Sequence, residues 1–114
     1  MSVAEQYREL ESRLPADWAD ARFVLSVDDA TRAERAASML TAFQPGRVGG
    51  QVRFSVSRRG GRLEQARRMM DRIDREGIKG DLELVTTSEA PLEPAEFRAE
   101  WAPAAEQWDG AVGA

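Results

Sequence analysis

Between Arg58 and Arg62 the chain reads Arg-Arg-Gly-Gly-Arg, its densest cluster of residues able to do chemistry. A glycine-rich turn ahead of a helix leaves backbone N–H groups directed at whatever sits there, and the helix dipole favours an anion. Three arginines add charge and forked donors that match a phosphate or a carboxylate. Arg58, Arg59, Gly60, Gly61 and Arg62 are therefore the candidate anion-binding residues. The segment is not a P-loop, since no Gly-Lys-Ser/Thr follows, and it is not a dinucleotide fingerprint. Its competing reading is an exposed turn with solvated arginines.

Asp28 and Asp29 form the second candidate. They end the first predicted strand and are expected near Arg58 and Arg59 at the same sheet edge, since ligands of open parallel sheets bind beyond the carboxyl ends of the strands. Paired carboxylates can bind magnesium beside substrate phosphates, or act as acid and base. Helix capping accounts for both without a ligand, so they are candidate ligands only and no metal is assigned. A third group, Arg22, Arg53 and Glu83, falls with Ser55 on the sheet face away from the expected helices and is read as an interaction surface.

What the sequence lacks is as informative. It contains no histidine and no cysteine, which removes the commonest general base, thiolate nucleophiles and most metal-ligand sets. Its serines and threonines have no base beside them, and the single lysine, Lys79, stands next to Gly80. No catalytic residue and no cofactor is expected.

These candidates depend on the elements that carry them. Val52, Phe54 and Val56 alternate with Arg53, Ser55 and Ser57, the period-2 pattern of a half-buried strand. Leu63, Ala66, Met70 and Ile73 then follow at helical spacing, with Met69 flanking them. Thirty residues earlier, Ala33, Ala36, Met39, Leu40 and Phe43 stand in matching positions behind a first strand with Phe23, Leu25 and Val27 on one face. Thr31 with Glu34 reads as a capping box for that helix. Gly77 suits the left-handed position after the second helix, with Ile78 contacting Ile73 in a Schellman arrangement. Leu82 and Leu84 point inward from a third strand.

A helix of about thirteen residues spans ~20 Å, about the length of a six-residue strand. The expected fold is therefore α/β: three mainly parallel strands at 22–27, 51–57 and 81–86, joined by crossover helices on one face. Ser2 and Glu5 cap an N-terminal helix over 1–14, striped by Val3, Tyr7, Leu10 and Leu14, and Trp18 covers a core edge. A C-terminal helical segment over 94–108 carries Phe97, Trp101 and Trp108, expected to dock on the domain. Residues 1–109 are read as one domain, with 110–114 frayed.

The net charge of −4 conceals an asymmetry. Residues 44–80 carry nine arginines and one lysine against four acids, whereas 81–114 carry one arginine against eight acids. That basic middle either meets a polyanion or pairs with acids inside the fold. No apolar run approaches the ~20 residues of a membrane helix, and no basic-then-apolar leader opens the chain, so a cytoplasmic protein is expected. The resulting expectation is a non-catalytic binding or protein-interaction module. A protein partner or self-association is expected, whereas nucleic acid and membrane are not. The alternative is a phosphate- or nucleotide-recognising domain using the loops at 28–31 and 58–62. A small enzyme using carboxylate and arginine chemistry ranks third.

Overall fold

A computed structural model describes residues 1–88 of the 114-residue chain. The chain forms α1 (Val3–Ser12), β1 (Asp20–Val27), α2 (Ala30–Met39) and a 3-10 turn (Thr41–Phe43). It continues as β2 (Gly46–Val48), β3 (Gln51–Ser57), α3 (Arg62–Arg75) and β4 (Gly80–Ser88).

The sheet has four strands in the order β2-β3-β1-β4, and every neighbouring pair is antiparallel. This overturns the expectation of three mainly parallel strands. The cause is a short element: Gly49-Gly50 closes a two-residue hairpin that pairs Val48 with Gln51. Gly49 takes the positive φ of +55° that such tight turns require. The hairpin reverses the chain, so β3 enters between β2 and β1 and runs opposite to both. Each crossover helix does join strands of equal direction, α2 linking β1 to β2 and α3 linking β3 to β4. In each case an antiparallel strand fills the space between them. The result is two interleaved split β-α-β units, the ferredoxin-like topology, with α1 added in front. Such a topology hosts many functions and specifies none.

The core lies between the sheet and the helices. Phe23 and Leu25 of β1, Val52, Phe54 and Val56 of β3, and Leu82 of β4 meet Tyr7 of α1, Ala33 and Ala36 of α2, and Met70 and Ile73 of α3. Phe23 lies at its centre, with ring centroids 5.4 Å from both Tyr7 and Phe54. Trp18 is buried at the edge of this cluster, as its position in the sequence suggests.

Local signals decide the helix ends. The Ser2–Glu5 capping box forms in both directions. At the far end of α3, Gly77 donates to the Asp74 carbonyl and Ile78 to the Ile73 carbonyl, completing the Schellman motif. The expected Thr31–Glu34 box does not form. Asp29 is the cap instead, its Oδ1 accepting from the Thr31 N–H at 2.8 Å.

The two outer strands are protected differently. The side-chain amide of Gln6 donates to the Gly80 carbonyl at 2.9 Å and accepts from the Leu82 N–H at 2.9 Å, so α1 stands in for a fifth strand. A register shift between Arg22 and Phe23 then bends the remainder of β4. On the other side β2 is only three residues long. No helix among the described residues is long and apolar enough to cross a membrane.

Candidate functional site

One stretch of unpaired strand edge among the described residues adjoins the cluster of arginines. Gly46 pairs with Arg53 and there β2 ends, although β3 continues to Ser57. Continuing that register would place Gln44 opposite Ser55. Gln44 instead adopts a left-handed conformation at φ 51°, which no extended strand can include. Phe54 to Ser57 therefore run on without a strand on that flank among the described residues. Backbone groups of alternate residues in an antiparallel strand point to alternate neighbours. Gln51 and Arg53 face β2, so Ser55 and Ser57 direct their N–H and C=O groups into the vacated position.

A cavity of about 480 Å³ occupies that position. Ser55 and Ser57 form one wall, Ala42, Phe43 and Gln44 a second, and Arg59, Gly60 and Arg62 close one end, with Asp20 also in the lining. The Ser57 Oγ is buried and has no hydrogen-bond partner among the described residues. The Arg59 guanidinium makes no hydrogen bond or ion pair with a described residue, and that of Arg62 donates only to the Gln65 Oε1 at 3.0 Å. Gly60 and Gly61 both hold positive φ, +68° and +73°, with open space where a Cβ would project. Only their conformation requires glycine there, and it turns the chain sharply enough to set Arg59 and Arg62 around one opening. Gly61 is also the N-cap of α3, where no side chain satisfies the first N–H groups.

The sequence candidates divide. Arg59, Gly60 and Arg62 line one cavity. Arg58 does not join them: its guanidinium donates to the Ala16 and Trp18 carbonyls at 2.8 and 3.2 Å and lies 5.8 Å from the centre of the Trp18 ring. It fastens the turn to the connector after α1. Asp28 and Asp29 are exposed beyond the end of β1. The Arg58 N–H bonds to the carbonyl of Ala19, just before β1 begins. The two loops thus lie at opposite ends of an eight-residue strand, roughly 25 Å apart. The expected juxtaposition of Asp28 and Asp29 with Arg58 and Arg59 does not exist, because it required parallel strands. Among the described residues no group of three or more acids is placed to hold a metal ion.

Arg22, Arg53 and Glu83 do share the sheet face opposite the helices, with Val24 between Arg53 and Glu83. Arg22 is only 3% exposed there, Arg53 is half-buried and Glu83 is exposed. Arg22 is therefore not an open contact point. Phe97, Trp101 and Trp108, and the segment 94–108, lie outside the described residues.

Sequence reasoning missed Asp20, Gln44 and Ser57. Asp20 enters because antiparallel pairing sets the start of β1 beside the end of β3. Gln44 carries no signal at all, since a residue before proline ordinarily favours extended backbone. The cavity brings the Arg59 and Arg62 side chains together with the Asp20 carboxylate and the Ser55 and Ser57 hydroxyls. Compared with known proteins, the chain matches no family model, no curated protein and no solved structure.

Proposed function

We propose that this protein is a non-catalytic binding domain that receives an anionic group of its partner in the cavity beside β3. The observation that carries this reading is the cavity itself, with Arg59 and Arg62 at its end and no described acid paired to either. The buried Ser57 Oγ, without a partner among the described residues, supports it, because such a group is stabilised when a ligand supplies a partner. Neither Arg58 nor the Asp28–Asp29 loop takes part. The alternative of a nucleotide held between the loops at 28–31 and 58–62 loses its geometry, since those loops are at opposite ends of the sheet.

Titration with acetate and with inorganic phosphate, followed by amide chemical shifts, tests the reading. Saturable shifts confined to Gln44, Ser55–Ser57 and Arg59–Leu63 are expected. They should vanish in Arg59→Ala/Arg62→Ala, whose thermal midpoint should stay near that of the parent because both side chains are exposed. Shifts spread evenly over all the arginines would mean that the cavity has no special affinity.

A further inference from the structure

We infer that the occupant of this cavity is an extended acidic peptide from another protein, bound as an added strand along β3. The inference rests on the anion-binding reading above and adds the class of partner.

Three observations converge on it. First, the vacancy has the dimensions of a strand. From Phe54 to Ser57 the chain rises ~10 Å, enough for three or four residues of an extended partner lying in line with β2. Second, among the described residues the other outer edges are shortened or partly covered, whereas this one has no covering element. Gln6 covers Gly80–Leu82, a register shift bends the rest of β4, and β2 is cut to three residues. An unprotected edge is a template for strand addition, in which main-chain hydrogen bonds supply affinity and side-chain contacts supply specificity. Third, the charge selects the side chains. Arg59 and Arg62 stand at the end of the slot, inside a segment with a surplus of six positive charges over 44–80. An acidic residue on the added strand would complement them, and a basic one would be repelled.

A second copy of this chain fits less well. Its own β3 edge is flanked by the same 42–44 wall and the same arginine turn, so pairing two such edges would bring the walls together.

The test uses the full chain and a synthetic blocked hexapeptide of alternating valine and glutamate, with the threonine-for-glutamate version as the neutral control. Binding of the acidic peptide should slow hydrogen exchange at the Ser55 and Ser57 amides. Phe54 and Val56, already paired with β1, should change little. The neutral peptide should bind about tenfold more weakly, as should the acidic one to Arg59→Ala/Arg62→Ala. An N-methylated acidic peptide keeps its charge but lacks the donors, and it should not bind. Equal binding of the N-methylated form, or no new protection at Ser55 and Ser57, would overturn strand addition. If acetate and phosphate still shifted the cavity residues, the anion reading would survive that result. Silence from peptides and small anions alike would remove both. Protection of Ser55 and Ser57 that appears with protein concentration alone would make a second copy the occupant and reject the peptide.

Discussion

Tyr7 is buried to 1% exposure against Phe23, and its hydroxyl makes no well-formed hydrogen bond among the described residues, although the Glu11 carboxylate is near enough to act on it. Leaving such a group dry and unpaired costs ~1–3 kcal/mol. Burial, with the Glu11 carboxylate adding to it, raises the phenol above its ordinary pKa of 10.0. Below that pH the phenol is neutral in both folded and unfolded chains. Above it the unfolded chain releases the proton while the folded chain retains it, so stability falls as pH rises. Tyr7→Phe keeps the ring and removes the oxygen. It should stabilise the protein by about 1 kcal/mol at pH 7 in urea unfolding. It should also lose less stability than the parent between pH 9 and 11. A variant less stable than the parent at pH 7 would mean that the hydroxyl has a partner. Residue-level reading from sequence went far here: the stripe through Val3 and Tyr7 marks the buried side of α1. It could not show that a buried hydroxyl would go unsatisfied, because that depends on what is packed above it.

At the scale of elements, α1 is held by groups distant in sequence. The Asp74 carboxylate accepts from the Val3 and Ala4 N–H groups at 2.9 and 3.0 Å, so α3 caps the first turn of α1. Arg67 grips Glu11 through both oxygens, and Arg8 meets Asp71 at 2.9 Å. Those exposed ion pairs contribute little each. The cap is worth more, since it satisfies two donors that the helix cannot. Asp74→Ala should lower stability by about 1–2 kcal/mol and speed hydrogen exchange in residues 3–12 beyond the rest of the domain. Asp74→Asn, which keeps one acceptor, should fall between. Uniform acceleration everywhere would assign Asp74 to global stability instead. Signals confined to a few neighbouring residues were legible: the Ser2–Glu5 box, the Schellman end at Gly77 and the alternation in β3. The ion pairs of α3 include Glu64–Arg67 and Arg8–Asp71, since an arginine reaches whichever carboxylate tertiary packing brings near. The three residues of β2 span barely one period of alternation, too few to register as a strand. Gly49-Gly50 was the readable clue to the hairpin.

That one hairpin redistributes the charges of the whole molecule. With parallel strands, Asp28 and Asp29 would neutralise the arginine turn and call for a bridging magnesium ion. With antiparallel strands they lie roughly 25 Å away, about three Debye lengths at physiological ionic strength. The acid that enters the cavity is Asp20, which is 6% exposed. A buried carboxylate beside an anion site opposes binding more strongly than a distant solvated pair, because it is screened less. Asp28→Asn/Asp29→Asn should therefore change phosphate affinity by less than twofold, with or without magnesium. Asp20→Asn should raise that affinity severalfold while lowering stability, since Asp20 is buried and makes an interaction of its own. Phosphate titrations of both variants at 0.15 M salt, each repeated with 5 mM magnesium, compare the two acids directly. Tighter binding in the Asp28→Asn/Asp29→Asn protein, or binding by the parent only in the presence of magnesium, would place the anion near those aspartates and away from the cavity beside β3.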